Sequence, residues 1–371
     1  MPNAPDPETD RRWMRLALTL ARRGLGRVAP NPSVGCVVVK DGRVVGRGWT
    51  RPGGRPHAER VALDAAGPAA RGATAYVTLE PCAHHGRTPP CAEGLREAGL
   101  ARVVAAIRDP DPRVDGKGFA ILREAGVDVA AGVCAAEAEA LNAGFLSLHR
   151  RGRPWLTLKM AGSLDGRIAT ASGESRWISD EPARDWAHLL RAEADAILVG
   201  MGTVRADDPR LDCRLPGLEN RSPRPVLLDP RLTLSEETGL VRRAAERPPL
   251  LLHGPEADPA RADALRALGV EAEAVPLDGA GVDLAAALAA MGRRGITRVL
   301  CEGGGRLAAA LLAGGHVDEV HWATAGVALG AEGRPAVGPL ALDRLADAPR
   351  MDLTATRRLG PDVLSLWRPL G

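Results

Sequence analysis

Three side chains suited to a soft divalent metal stand in the first half of the chain: His57, Cys82 and Cys91. One imidazole and two thiolates supply three ligands to a zinc ion and leave the fourth tetrahedral position to water. Glu59, two residues past the imidazole, is in reach of that water and able to move its protons. Zinc lowers the pKa of bound water from 15.7 to about 7. Such a site suits hydrolytic loss of ammonia from an amino-heterocycle. The short form of the pattern is H-x-E followed by P-C-x-x-C. His57-Ala58-Glu59 matches its first part, whereas the cysteines, in Pro81-Cys82 and Pro90-Cys91, are nine apart. Singly, each residue reads as a capping histidine or a small buried thiol. Together, with Glu59 in place and two Pro-Cys pairs, they favour the metal.

These residues need a frame that returns two later turns to His57. Trp13, Leu16 and Leu20 recur at a helical period over 12–23, and Gly24 ends that helix. Asn31-Pro32-Ser33 is a turn, and the apolar runs 34–39 and 44–49 flank Asp41-Gly42 as a hairpin. His57 opens a helix to about Ala66, with Pro56 before it. Residues 75–79 form a third strand, which puts Pro81-Cys82 on the following turn. A helix over 91–98, a strand over 102–107 and a helix over 118–126 complete an α/β sandwich. Its ligands lie at helix N-termini, where the dipole favours thiolates.

At 371 residues the chain reads as two domains. An Ala/Glu-rich helical stretch over 135–148 and the basic run Arg150-Arg-Gly-Arg-Pro154 separate 1–149 from 150–371. Residues 1–10 are polar and Pro-rich without an apolar signal core, so a disordered lead-in and a cytoplasmic protein are expected. Six cysteines are too few for a disulfide framework; Cys36, Cys134 and Cys213 read as structural. A formal net charge of +3, with two Phe and one Tyr, gives no nucleic-acid footprint. No apolar run is long enough to span a bilayer.

In the second half, residues 154–160 alternate like a strand, and 161–168 form a small, polar loop that lets backbone approach a ligand. A helix over 181–194, strands over 196–200, 225–229 and 250–253, a helix over 284–293 and a strand over 298–302 follow. Strands alternating with helices imply a mostly parallel sheet covered by helices. Gly303-Gly304-Gly305 and Gly200-Met201-Gly202 are strand–helix turns whose backbone N–H groups suit phosphate. They do not form the G-x-G-x-x-G fingerprint. Two such turns fit a dinucleotide across the strand ends; close helix–strand packing is the alternative.

The first half, through Asn31-Pro-Ser-Val-Gly-Cys-Val-Val-Val39, His57-Ala-Glu59, Thr78 to Cys91 and Asp109-Pro-Asp-Pro112, resembles the deaminase half of the bifunctional riboflavin-biosynthesis deaminase–reductases. The resemblance implies a cytidine-deaminase-like fold, zinc on His57, Cys82 and Cys91, and Glu59 as the catalytic proton shuttle. It also implies that Asn31 bonds the pyrimidine while His84 and Arg87 face the ribose phosphate. The second half resembles the reductase half, a dihydrofolate-reductase-like α/β fold, through residues 158–168, 172–178, 202–211 and 302–304. That match implies NADPH contacts at Ala161, Trp177, Thr203, Asp207, Gly304 and Gly305. Ser175, Arg191, Leu211, Arg214 and Glu302 would line the substrate, and Lys159 lies beside the cleft, as a proton donor or an ordinary strand-end lysine. The sequence departs from the pattern at Asp229-Pro230, where a hydroxyl is missing, and at Ala325–Gly330.

The expected partners are small phosphorylated pyrimidines, with neither nucleic acid nor membrane, and the expected assembly is a homo-oligomer. Two rival readings stay open from the residues alone: a deaminase acting on nucleic-acid bases, and a zinc-stabilised domain fused to a nucleotide sensor.

Overall fold

The computed structural model describes residues 7–86, 89–279 and 281–370. Two compact units divide it, Met1–Gly152 and Arg153–Gly371. The first runs α1 (Pro7–Ala21), β1 (Gly35–Lys40), β2 (Arg43–Trp49), α2 (Ala58–Ala66), β3 (Thr74–Val77) and α3 (Cys91–Glu97). It continues with β4 (Arg102–Ala105), α4 (Lys117–Glu124), β5 (Asp128–Ala131), α5 (Ala135–Leu141) and α6 (Ala143–Arg151). Its strands form one sheet in the order β2-β1-β3-β4-β5. The pairs of β1 with β2 and β3 are antiparallel, and β3, β4 and β5 run parallel. All of β1 except Lys40 is buried, which is why it reads as a continuous apolar run, as strands covered on both faces do.

Glycines set how near the helices lie. A Cβ on Gly35 would fall 1.9 Å from the Ala17 carbonyl oxygen of α1, and Cβ atoms on Gly46 and Gly48 would fall 2.2 and 2.3 Å from the carbonyls of Ala62 and Ala58. Helix α2 therefore rests on the bare backbone of β2, and its first turn, with His57 and Glu59, is fixed relative to the sheet.

Two expectations change. The lead-in is helical from Pro7 onward, because Asp10 is buried and accepts both Arg102 nitrogens at 2.8 and 2.9 Å and the Tyr76 hydroxyl at 2.8 Å. Residues 1–6 lie outside the described residues. The stretch 135–148 is two helices broken at Asn142. The Asn142 Oδ1 accepts the Ser33 N–H at 2.9 Å, and its Nδ2 donates to the Ser33 carbonyl at 3.2 Å. That clamp competes with a continuous helix and ties α6 to the turn that carries Asn31.

The second unit begins with β6 (Trp155–Ser163), β7 (Arg167–Ala169), α7 (Glu181–Glu193), β8 (Ala196–Gly200), α8 (Met201–Asp207) and β9 (Arg224–Leu228). Next come α9 (Gly239–Arg242), β10 (Leu250–His253), α10 (Pro259–Ala267), β11 (Glu271–Ala274), β12 (Leu277–Asp278), β13 (Gly281–Val282) and α11 (Leu284–Arg293). It ends with β14 (Arg298–Cys301), α12 (Gly305–Ala313), β15 (Glu319–Ala325), β16 (Arg334–Pro335), β17 (Met351–Leu359) and β18 (Asp362–Pro369). Nine strands form the order β11-β10-β9-β8-β14-β6-β15-β18-β17, parallel up to β15 and antiparallel at β18 and β17. Successive residues of β8 serve opposite faces: Leu198 joins the core with Leu156 and Met291, Ile197 the core with Leu227 and Leu251. A strand buried twice needs apolar residues at every position.

The expected loop over 161–168 starts later, since β6 continues through Ser163 and Ala161 pairs with Ala323. Lys159 is therefore mid-strand. The chain is mixed α/β in both units, as expected.

Replacing Gly48 by Ala should destabilise the first unit by about 1–3 kcal/mol through overpacking. Gly94→Ala in α3, where a Cβ meets nothing closer than 3.9 Å, should be neutral or stabilising, because glycine costs helices up to about 1 kcal/mol. Urea denaturation of both variants checks the contrast.

Candidate active site

His57 occupies the N-cap of α2 in extended conformation, which puts Glu59 in the first helical turn, where the dipole favours an acid. Cys82 follows β3, and Cys91 opens α3. The Cys91 N–H donates to Cys82 Sγ at 3.2 Å, and Ala92 N–H to the Cys82 carbonyl at 3.2 Å. Glu80 braces this turn: its carboxylate accepts the N–H groups of Asp109, Gly116, Gly118 and Phe119 at 3.3, 3.0, 3.1 and 3.4 Å.

His57 Nδ1 stands 3.3 Å from Cys91 Sγ and 3.6 Å from Cys82 Sγ, and all three donor atoms lie within 4.8 Å of one another. Zinc bonds of about 2.3 Å to sulfur and 2.0–2.1 Å to nitrogen on a tetrahedron give N···S separations of about 3.6 Å. The donor set fits zinc. Among the described residues no fourth His, Cys, Asp or Glu joins the group, so a zinc ion held there would have a fourth ligand position to give to water. The Cys91 thiol's hydrogen bond, with that of His57, holds Cys82 down to about 4, and the same contact pushes Cys91 up. Burial, with the Cys82 thiolate nearby, pushes Glu59 up to about 7.

A cavity of about 530 Å³ opens over this seat and takes in Asn31, Glu59, His84, Asp109 and Asp111. Asn31 is held in place by the Gly53-Gly54 turn, where a Cβ on Gly54 would fall 2.0 Å from its Nδ2. His84 Nδ1 is buried without a hydrogen-bond partner among the described residues. Arg87 lies outside the described residues. Thr50, Arg55, Asp109, Asp111, Arg113, Phe145 and His149, to which the sequence alone assigns no role, also line the cavity. Burial pushes Asp109 up to about 7, whereas Arg113's hydrogen bonds hold Asp111 down at about 2. Two acids spaced by one residue just past a strand end were the available signal.

In the second unit Arg191 and Glu302 come together as a fork: Nε donates to Oε1 at 2.8 Å and Nη2 to Oε2 at 2.7 Å. Arg191 Nη1 also donates to the Asp212 carbonyl at 2.9 Å, and Arg214 pairs with the Asp212 carboxylate. Burial raises Glu302, but Arg191 and then Lys159 outweigh it and hold the carboxyl below its usual range. Burial lowers Lys159, against the pull of Glu302. Leu211 is buried and its carbonyl accepts Arg247. Thr203 and Asp207 lie on α8, and Ser175 is in the loop before α7, where its carbonyl accepts the Ile178 N–H. Trp177 is 70% exposed and stacks under Arg184. Gly304 caps α12 and Gly200 caps α8; a Cβ on Gly200, Gly202 or Gly304 would meet nothing within 4 Å. Bare backbone with open space at the ends of adjacent parallel strands β8 and β14 fits a dinucleotide.

The two departures have structural uses. The Asp229 carboxylate accepts Thr233 Oγ1 and the Leu234 N–H, holding its own loop. The 325–330 run folds onto Asp165, which accepts the Leu329 and Gly330 N–H groups.

The chain is 43% identical over 363 residues to the riboflavin biosynthesis protein RibD of Escherichia coli (strain K12), covering 95% of this chain and 98% of that one. It belongs to the RibD family. Residues 7–107 match the cytidine and deoxycytidylate deaminase zinc-binding region, and residues 154–365 the RibD C-terminal domain. RibD of Bacillus amyloliquefaciens is 40% identical, with 95% of this chain and 94% of that one covered. Among solved structures, Acinetobacter baumannii RibD superposes with a TM-score of 0.89 at 38% identity, covering 99% of this chain and 100% of that one. A deaminase/reductase from Thermotoga maritima gives 0.86 at 35% identity, covering 98% and 99%. As a RibD protein it is a bifunctional deaminase and reductase of riboflavin biosynthesis. Zinc serves the first activity and NADPH the second. No described helix is long and apolar enough to cross a membrane.

Arg191→Met leaves Glu302 as a buried carboxylate without its fork, and should destabilise the second unit by about 3–5 kcal/mol. Glu302→Gln, which keeps a hydrogen-bonding amide, should cost less; denaturant melts of both variants test the order.

Proposed function

We propose that the first unit deaminates 2,5-diamino-6-ribosylamino-4(3H)-pyrimidinone 5′-phosphate. The second then reduces the ribosyl chain of 5-amino-6-(5-phosphoribosylamino)uracil to ribityl. The observation that carries the first step is the meeting of one Nδ1 and two Sγ atoms at zinc-compatible distances, with Glu59 lining the same cavity. His57, Cys82 and Cys91 hold the metal. When bound, zinc makes water acidic enough to react near neutral pH. Glu59 moves two protons in turn, the first from the attacking water to the ring nitrogen and the second from the newly added hydroxyl to the amino group, so a carbonyl forms as the C–N bond breaks and ammonia leaves neutral. Asn31 bonds the pyrimidine, and His84 and Arg87 face the ribose phosphate.

For the second step Ala161, Trp177, Thr203, Asp207, Gly304 and Gly305 hold NADPH, which supplies the hydride. Ser175, Leu211 and Glu302 line the substrate, with Arg191 and Arg214 toward its phosphate. A guanidinium has five N–H donors. Glu302 and Asp212 occupy three Arg191 nitrogens with one hydrogen bond each, which leaves donors for a phosphate. Lys159, close to Glu302, gives the proton that opening of the sugar ring requires. The thiolate ligands suit the reducing cytoplasm. The outer edge of β17, unpaired among the described residues, with Leu353 half exposed, supports a homo-oligomer. Light scattering at micromolar concentration should give a multiple of the chain mass; a monomer would refute the assembly.

Glu59→Gln should keep bound zinc and lose ammonia release by about 10²–10⁴-fold, while NADPH oxidation on the deaminated substrate persists. A chelator should likewise abolish only the first step. Metal content, ammonia and NADPH absorbance measured on one preparation decide it; full ammonia release by Glu59→Gln would sink the assignment.

A further inference from the structure

The chain between α8 and β9, residues 208–223, carries Leu211, Asp212 and Arg214, and Asp212 is its hub. The Asp212 carbonyl accepts Arg191 Nη1 at 2.9 Å. Its carboxylate pairs with Arg214 Nη1 at 2.5 Å and with Arg210 Nε at 2.8 Å. Both guanidiniums assigned above to the substrate's phosphate therefore take their bearing from one residue. That residue follows a strained one. Leu211 has a φ of +52°, left-handed backbone that a bulky side chain adopts only where its surroundings impose it.

Two groups impose it. The Leu211 side chain is buried in the core that includes Val204, Leu240 and Val241. Its carbonyl accepts Arg247 Nη1 at 2.9 Å, and the same guanidinium donates to the Pro223 carbonyl at 3.3 Å and to the Arg210 carbonyl. Arg247 thus staples the two ends of the 208–223 stretch together. It is itself held: its N–H donates to the Arg243 carbonyl at 3.0 Å, and Pro248 and Pro249 follow it, which narrows its backbone choices. Burial pulls the Arg247 guanidinium below its usual range; Asp212 opposes that, while Arg243, Arg191 and Arg210 add to it. A cation in such company is kept by the carbonyls that share it, and a planar fork with five donors reaches all three. A lysine ammonium, a point charge on a flexible stem, does not match that arrangement.

We propose that Arg247 is a positioning residue of the reductase. By holding the carbonyls of Arg210, Leu211 and Pro223 it keeps Leu211 in its left-handed turn, and through Asp212 it aims Arg191 and Arg214 at the substrate. This rests on the reductase reading given above. Arg247 acts only through Asp212 and makes no contact of its own with substrate or NADPH. Its removal lets the turn relax, and the two substrate-facing guanidiniums lose their common reference.

The test uses the full chain. NADPH oxidation is followed on 5-amino-6-(5-phosphoribosylamino)uracil and on the same riboside without phosphate, for wild type, Arg247→Met and Arg247→Lys. Arg247→Met should raise KM for the phosphorylated substrate by about ten-fold, the worth of a charged hydrogen-bonded contact. Its kcat, its KM for NADPH and the ammonia release of the first unit should stay near wild type. Arg247→Lys should recover part of the loss. On the unphosphorylated riboside kcat/KM should be the same in all three proteins, a result that a merely weakened fold would not give. Combined with Arg214→Met, Arg247→Met should cost less than the product of the two single losses, because one residue acts through the other. An unchanged KM, an equal loss on both substrates or a fully multiplicative double variant overturns the assignment. If Arg247→Met folds poorly, Arg247→Lys decides alone: a KM rise confined to the phosphorylated substrate supports the role, and any other pattern refutes it. A wild type that oxidises no NADPH on the phosphorylated substrate would instead defeat the reductase reading itself.

Discussion

The contact on which the metal seat depends is one without side chains: α2 lying on the backbone of β2. Gly46 and Gly48 leave no room for even a methyl group beneath Ala58 and Ala62. The height of the helix above the sheet is therefore set by main chain alone, and so is the position of its N-cap, His57. The cysteine side is built in the same way. A Cβ on Gly118 would fall 2.0 Å from the Pro81 carbonyl, and Glu80 gathers the following loops by their N–H groups. Close-packed backbone transmits displacement with little loss, so the three donors are held to the tolerance a metal demands.

The two units treat buried charge differently. In the first, two cysteines and Glu59 converge: the contact with Cys82 pushes Cys91 up, and burial, with Cys82 nearby as a thiolate, pushes Glu59 up, a crowding that a dication would relieve. In the second, Glu302 is neutralised by protein, through the Arg191 fork, with Lys159 close by. Ion pairs of this kind repay their desolvation only when geometry is good and the remaining hydrogen-bonding capacity is used. The fork and the Asp212 carbonyl meet that condition. The Asp10–Arg102–Tyr76 cluster does so as well, and there the result is purely architectural: α1 is fastened to β3 and β4.

The ligands were legible in the sequence because metal chemistry restricts residue type and spacing tightly. The strands β1, β3 and β8 were legible because double burial demands unbroken apolar runs. What stayed hidden follows from weaker constraints. Strand β17 alternates mostly exposed residues such as Asp352, Thr354 and Arg358, so hydropathy gives no period to read. The break at Asn142 is made by a partner more than a hundred residues away, which no local propensity reports. The acidic start of α1 resembled a tail because the burial of Asp10 depends on Arg102, far along the chain.

The Asn142 clamp on Ser33 bears on what the smallest working deaminase is. The zinc-binding signature ends at residue 107, yet Phe145 and His149 of α6 form part of the cavity wall. Cutting the gene where the signature stops would remove the tether of the Asn31 turn and one side of the reaction chamber together. A truncated version would retain every ligand while lacking the enclosure that shields chemistry from bulk solvent. An autonomous fragment has to be measured out by its last helix, not by its motif.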